Sequence, residues 1–265
     1  MAKNSGVANR FDDEDIGLHW SVDESEESFR RLLHHIEVKS NFKPYFEEAL
    51  KHLDLDSSSF PGDMVICDIG AGVGWSSALS ALHPKVKTVY IVDPSENRLA
   101  RAGFVAKHFG VGGKVIIRKG TFADPGISEK VDIVLMCASL HHCRDDQIPG
   151  LFSNIKMLLK PAGKVLIANE HYVDPLWTLK RAVSCLAHYR DRSRFYKFAD
   201  LRASDPYGGE HWRTKREIEE MMRQNGFDAA FYLHKGDLCK DKASLYHKLG
   251  WHYYHAIASP NKRQE

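Results

Sequence analysis

The feature that most constrains the fold is a short apolar run that leads into a glycine-rich turn. Residues 64–69 read Met-Val-Ile-Cys-Asp-Ile, and glycines follow at positions 70, 72 and 74, before a helical stretch. Glycine permits left-handed backbone and lets a ligand approach the main chain closely. A strand, turn and helix in this order predict the first unit of an open parallel sheet that binds its ligand at the carboxyl ends of the strands.

Further apolar runs alternate with stretches long enough for crossover helices. The runs cover 88–92, 114–117, 131–136 and 164–168, and the helical stretches lie around 76–82, 96–109 and 146–159. This alternation predicts a doubly wound α/β sheet with helices on both faces. Two amphipathic helices are expected before residue 60, and Thr214 with Glu217 forms a capping box for a helix that ends at Asn225 and Gly226. Strand-like runs at 227–233 and 251–258 close the pattern.

Composition limits the class of protein. The 265 residues are 43% hydrophobic and carry a net charge of +2 with acids and bases interspersed, so nucleic acid is not a favoured partner. Five cysteines without C-x-x-C spacing favour a reducing cytoplasm over a disulfide framework or a zinc site, and no apolar stretch is long enough for a membrane span.

One domain with additions is expected. Residues 1–60 would form an N-terminal arm and two packing helices that are part of an active-site cover. Residues 61–265 would form the ligand-binding domain, with an insertion at about 171–212 that is rich in basic and aromatic residues. The oligomeric state stays open, a homodimer included.

The glycine turn departs from a dinucleotide site. In a G-x-G-x-x-G fingerprint counted from Gly70 the third glycine would stand at Trp75, but Gly74 comes one place early. The carboxylate of Asp68 beside the turn would repel a pyrophosphate and attract an ammonium or sulfonium group. Asp93, at the end of the second apolar run, can accept hydrogen bonds from the two hydroxyls of a ribose. A cationic, ribose-containing ligand is therefore favoured over NAD.

With these residues in view, the chain resembles the class I S-adenosylmethionine-dependent methyltransferases, over roughly residues 60 to 170 and more loosely to 258. The motifs that carry the resemblance are residues 68–74, Asp93, Leu140-His141-His142, and 159–167 before the fifth strand. The resemblance implies a Rossmann-like, seven-stranded sheet that is mostly parallel with an antiparallel last strand, and S-adenosyl-L-methionine as the cofactor.

The resemblance also implies a set of cofactor-binding positions. They are Asp68, Gly70, Ala71, Gly72, Gly74, Asp93, Pro94, Thr121, Phe122 and Cys137, the last through its backbone. The adenine turn reads Gly-Thr-Phe-Ala-Asp at 120–124 where the family usually has Gly-Asp-Ala. Thr121 and Phe122 therefore serve there, or Asp124 substitutes for the acidic residue.

Histidines supply the candidate base. Methyl transfer to a hydroxyl or a carbon acid requires removal of a proton, and a histidine can accept it near neutral pH. His142, His141 and His211 are the candidates, and Glu170 and His171 end the fifth strand on the same edge. The alternative is that these histidines only pack. No metal is predicted, because Cys137 and Ala138 stand where a metal-binding carboxylate would be needed after the fourth strand.

The expected function is O-methylation of a small molecule, such as a sugar or a natural-product hydroxyl. The alternatives are C- or N-methylation of a small metabolite, or a non-catalytic protein that binds the cofactor or RNA.

Overall fold

The computed structural model describes residues 20–173, 179, 183, 211, 213–235 and 251–261. The predictions for the first 19 residues of the arm and for most of the 171–212 insertion fall outside these residues. The helices are α1 (Glu26–His34), α2 (Phe42–Leu53), α3 (Trp75–Ala81), α4 (Glu96–His108), α5 (Ile148–Leu158) and α6 (Lys215–Gln224). The strands are β1 (Met64–Ile69), β2 (Val86–Asp93), β3 (Val115–Lys119), β4 (Val131–Cys137), β5 (Leu159–His171), β6 (Phe227–Lys235) and β7 (Trp251–Pro260).

The seven strands form one sheet in the order β3-β2-β1-β4-β5-β7-β6. The pairs from β3 through to β5 are parallel, and β7 runs antiparallel to both β5 and β6. The predicted fold is therefore confirmed, including the antiparallel last strand. From β1 the chain adds β2 and β3 on one side, and it then returns to add β4 and β5 on the other side. The carboxyl ends of β1 and β4 therefore lie side by side at the topological switch point, where such sheets bind ligands.

Apolar side chains on both faces of the central strands explain why they are covered on both sides. Every residue of β1 and β4 is buried. Along β1, Met64 and Ile66 pack with residues of α1–α4, whereas Val65 and Ile69 pack with residues of α5 and α6. Strands buried on both faces are typical of parallel sheets with helices in both outer layers.

Local signals set the helix ends. The side chain of Ser95 accepts a hydrogen bond from the backbone N–H of Arg98 and caps α4, and the Thr214–Glu217 capping box at the start of α6 is confirmed. A π-helical turn, His35–Lys39, lies between α1 and α2. In the described ranges, none of the helices is both long and apolar enough to cross a bilayer.

Candidate active site

The glycine turn after β1 leaves open space above its middle residue. Gly70, Gly72 and Gly74 all have positive φ, at 74°, 58° and 74°. A Cβ on Gly70 would lie 2.8 Å from the Cβ of Ser139, and one on Gly74 would lie 2.9 Å from the Cδ1 of Ile91, whereas a Cβ on Gly72 would have no atom within 4 Å. Gly70 and Gly74 are therefore required by packing within the protein, and the space above Gly72 is available to a ligand.

Asp93 ties this turn to the end of β2. Its Oδ2 accepts a hydrogen bond of 2.8 Å from the backbone N–H of Gly72, and its Oδ1 accepts one of 2.9 Å from that of Ser95. Both carboxylate oxygens of Asp93 thus hold backbone N–H groups that follow the ends of β1 and β2. The residue thus has a structural role in the loop that the sequence did not indicate, beside the expected role at a ribose.

Asp68 is a buried carboxylate with one unsatisfied oxygen. The hydroxyls of Ser76 and Ser77 donate to Oδ2 at 2.8 and 2.6 Å, while Oδ1 has no hydrogen-bond partner. Burial raises the pKa of Asp68 to about 7, against the opposing effect of the two serine hydroxyls. A positive charge placed at the turn would favour the ionised carboxylate, so the site is suited to a cationic ligand.

The turn at the expected adenine position lies beside the glycine turn. The N–H of Gly120 donates to the carbonyl of Asp93, and Phe122 Cζ lies 3.6 Å from the position that a Cβ of Gly70 would occupy. Thr121 Oγ1 and the Asp124 carboxylate accept backbone N–H groups within the turn, from Asp124 and Gly126 respectively. Phe122 therefore borders the glycine turn, whereas Thr121 and Asp124 shape the local backbone.

Cys137 ends β4 with a buried thiol. Burial, together with the negative charges of Asp68 and Glu170, raises its pKa well above the ordinary value. The side chain is therefore a protonated thiol at neutral pH, and the contact of its backbone with a ligand stays a prediction.

A turn after β4 brings His141 onto a buried carboxylate. Oε1 of Glu170 accepts the backbone N–H groups of Ser139 and Leu140, at 2.9 and 2.8 Å, and its Oε2 lies 2.9 Å from Nδ1 of His141. Glu170 is only 3% exposed. In sequence it was noted only as an acidic residue on this edge, and its pairing with His141 depends on the alignment of β5 beside β4.

His142 lies next to His141, with 4.2 Å between the ring centroids. Its side chain reaches solvent although protein atoms surround much of it. Desolvation, aided by the nearby His141, Arg98 and His211, lowers the pKa of His142 well below its ordinary value. The ring is therefore neutral at physiological pH.

The third candidate, His211, contacts the same turn through its backbone. Its N–H donates to the carbonyl of His141 at 2.6 Å. Its side chain is buried, and it borders a cavity of about 370 Å³ that is also lined by residues of α5 and α6. Burial lowers the pKa of His211. The structure thus joins the backbone of His211 to His141, and its imidazole lines a cavity between these two helices.

The described ranges contain no group of three or more His, Cys, Asp or Glu side chains arranged to hold a metal ion.

The sheet order and the open, anion-lined turn at its switch point define a doubly wound ligand-binding protein. A family model described as a methyltransferase domain matches residues 41–230, and the chain belongs to this family. An uncharacterised methyltransferase of Geobacillus sp. (strain WCH70) is 27% identical over 161 residues, covering 60% of this chain and 68% of the relative.

Two solved structures share the fold at low sequence identity. A geranyl diphosphate C-methyltransferase from Streptomyces coelicolor, with Mg²⁺, geranyl diphosphate and S-adenosyl-L-homocysteine, aligns with a TM-score of 0.61 and 16% identity over 96% of each chain. A 1,6-didemethyltoxoflavin-N1-methyltransferase from Burkholderia thailandensis, with bound 1,6-didemethyltoxoflavin and S-adenosylhomocysteine, aligns with a TM-score of 0.57 and 18% identity, over 89% of this chain and 84% of the other.

Proposed function

We propose that this protein transfers a methyl group from S-adenosyl-L-methionine to a hydroxyl of a small molecule, with His141 as the general base. The observation that carries the proposal is the pairing of His141 with the buried carboxylate of Glu170 at the carboxyl end of β4. It supports a reaction in which the acceptor must lose a proton.

The residues at the switch point fit the cofactor. When bound, S-adenosyl-L-methionine supplies a methyl group on a positively charged sulfur. Asp68 offers a buried carboxylate with a spare oxygen to a cationic ligand, and the turn leaves open space at Gly72. Asp93 and Pro94 would serve the ribose, with Ala71, Thr121, Phe122 and the backbone of Cys137 completing the binding positions.

The base follows from the geometry of Glu170. When the Nδ1–H of His141 donates to this carboxylate, Nε2 is the nitrogen that carries the lone pair. The carboxylate also stabilises the imidazolium that forms when the acceptor gives up its proton. Glu170 is thereby a positioning residue for the base, and the neutral ring of His142 would line the cleft beside the acceptor.

Oxygen is favoured over nitrogen as the acceptor because a neutral amine needs little help from a base, whereas an alcohol must be deprotonated during attack. Carbon is the second candidate, since a carbon acid has the same need. The two structural neighbours act on carbon and on nitrogen, as their names state, so the fold accommodates different acceptors. Residues 1–60 and 171–212 would form the cover over the acceptor.

Histidine variants test the base. Transfer of a ¹³C-labelled methyl group into small molecules of a source-cell extract would be measured against pH for His141→Ala, His142→Ala and His211→Ala. His83→Ala, at the amino-terminal side of β2, is the control. His141→Ala should lower turnover by about 10²–10⁴-fold and remove the ionisation that a histidine base gives near pH 6–7, while cofactor affinity stays within about twofold of the wild type because the glycine turn is untouched.

The other two variants should keep that ionisation. Full turnover with an unchanged pH profile in His141→Ala would show that the base is assigned wrongly. Loss of the ionisation in His142→Ala or His211→Ala alone would identify that residue as the base.

A further inference from the structure

Arg213 stands where the chain returns from the 171–212 insertion to α6, and its side chain is turned onto the β4 turn. Nη2 donates to the carbonyl of Cys143 at 2.6 Å, and Nη1 donates to the carbonyls of Leu140 and His211 at 3.3 and 3.5 Å. Nε and Nη2 also reach Oδ1 of Asp145, at 3.1 and 2.6 Å. The side chain is only 9% exposed.

These contacts meet a need of the turn itself. Residues Leu140–His142 form one short 3₁₀ turn, in which the N–H of Cys143 donates to the carbonyl of Leu140. A single helical turn leaves its later carbonyl groups without partners inside the turn. A guanidinium is planar and offers five N–H donors in fixed directions, so one arginine can serve several carbonyls at once. Together with the N–H of His211, which donates to the carbonyl of His141, Arg213 covers the carbonyl side of the turn.

The turn that bears His141 is thus held from two opposite sides. Glu170 accepts its N–H groups and the imidazole Nδ1–H, and Arg213 donates to its carbonyl oxygens. A shift of the backbone by about 1 Å would take the 2.9 Å contact between Glu170 and His141 beyond hydrogen-bond distance and free the imidazole to change tautomer.

We infer that Arg213 is a positioning residue for the general base. It acts on His141 through the backbone of residues 140–143, and it links the placement of the base to the segment that follows the insertion. This inference rests on the proposed function, in which His141 is the base. A positioning role differs from a purely structural role in its consequences. Loss of the Arg213 guanidinium should change the tautomer of the His141 imidazole and lower turnover, without a matching change in cofactor binding.

The test compares Arg213→Met and Arg213→Lys with Arg223→Met, a control that removes an exposed arginine paired with Glu220 on the same helix. Protein labelled with ¹⁵N at histidine reports the tautomer of His141, whose signals are assigned by their loss in His141→Gln. In the wild type and in Arg223→Met, Nδ1 should be the protonated nitrogen. In Arg213→Met the ring should populate both tautomers.

Turnover and binding complete the test. Methyl transfer into the extract should fall at least about 10-fold in Arg213→Met, with partial recovery in Arg213→Lys. Calorimetry should give a dissociation constant for S-adenosyl-L-methionine within about twofold of the wild type. A wild-type tautomer and wild-type turnover in folded Arg213→Met would overturn the inference.

Two further results keep the outcomes separable. If Arg213→Met fails to fold, Asp145→Ala removes the exposed partner of the guanidinium and should give a smaller change of the same kind. An unchanged tautomer and turnover in this variant would then count against the inference. If His141→Ala retains turnover, the proposed base fails, while the tautomer of His141 in the Arg213 variants still shows whether Arg213 positions this ring.

Discussion

At the scale of single residues, three buried carboxylates make separate sets of hydrogen bonds at the switch point. The positions of Asp68 and Asp93 beside the glycine turn could be predicted from the sequence, because each stands at a fixed place relative to the glycines and to a strand end. The role of Glu170 could not be predicted in this way. It depends on the parallel alignment of β4 and β5, in which the N–H of Ala138 donates to the carbonyl of Ala168, and sequence patterns do not report such pairings.

The carboxylate of Asp68 should lower the stability of the cofactor-free protein and strengthen binding of the cofactor. Its pKa is about 7 in the folded protein against 3.8 for the unperturbed group, so between these values the folded state binds more protons than the unfolded chain. The free energy of unfolding contributed by this group therefore falls as pH rises from about 4 to about 7. The change in unfolding free energy caused by Asp68→Asn in the cofactor-free protein should be more favourable at pH 8 than at pH 4, by about 1–3 kcal/mol. The same substitution should weaken binding of S-adenosyl-L-methionine.

Urea unfolding at both pH values and calorimetry would check this prediction. Asp132→Asn is the matched control, since Asp132 is also buried but lies at the amino end of β4, where it pairs with Lys160. The control should lose stability without altered cofactor affinity. A stability difference for Asp68→Asn that does not change with pH would contradict the account.

At the scale of elements, periodicity predicted each central strand within a few residues but missed two features. β5 begins at Leu159, five residues before the predicted run, because Leu159 pairs with Val131 ahead of an irregularity in the register. The π-helical turn at His35–Lys39 continues the apolar spacing of α1, which a helical pattern cannot distinguish from an ordinary turn. Both features depend on hydrogen-bond register, and neither alters the pattern of apolar residues.

The glycine turn gives a prediction for this scale. Gly72→Ala and Gly74→Ala both place an alanine at positive φ, at a similar cost of about 1 kcal/mol, but only the second also meets Ile91 and Ala102. Gly74→Ala should therefore lose about 1–3 kcal/mol more stability than Gly72→Ala. The ratio of the loss in cofactor-binding free energy to the loss in unfolding free energy should be larger for Gly72→Ala than for Gly74→Ala. Thermal unfolding and calorimetry on both variants would decide, and equal ratios would show that the space above Gly72 is not the cofactor site.

A chain of three imidazoles joins α2 to the outer strands. His52 Nδ1 lies 2.8 Å from His255 Nε2, and His255 Nδ1 lies 2.6 Å from His234 Nε2. Burial, with the neighbouring His234 and His52, lowers the pKa of His255 to about 3. Contacts of this kind between separate elements have no signal in the sequence.

This chain should make the protein sensitive to acid. Between about pH 3 and 6.5 the unfolded chain binds more protons at His255 than the folded protein does, so stability is lost as the pH falls through this range. His255→Phe should reduce the loss of unfolding free energy between pH 7 and pH 4.5, as measured by urea unfolding. The same slope in His255→Phe as in the wild type would rule out this source of acid sensitivity.

At the scale of the whole molecule, helices cover both faces of the sheet, so the carboxyl ends of the central strands are the part of the sheet open to a ligand. His211 and Arg213, which precede α6, contact the turn that follows β4 at this edge. The doubly wound class followed from alternation alone, and the antiparallel last strand followed from resemblance to a family. The identity of the methyl acceptor could not be predicted from the alternation or from the resemblance. It would be selected by side chains of the cover, which lie outside the repeating pattern of strands and helices.

The atom that receives the methyl group decides whether this protein acts on a hydroxyl. Purified protein, S-adenosyl-L-methionine labelled with ¹³C in its methyl group, and source-cell extract would be incubated together. The labelled product would be isolated by mass spectrometry and its new bond assigned by NMR. We expect a labelled methyl group on oxygen, formed by the wild type and at least about 10²-fold more slowly by His141→Ala. A labelled methyl group on nitrogen, formed equally fast by both proteins, would contradict this expectation.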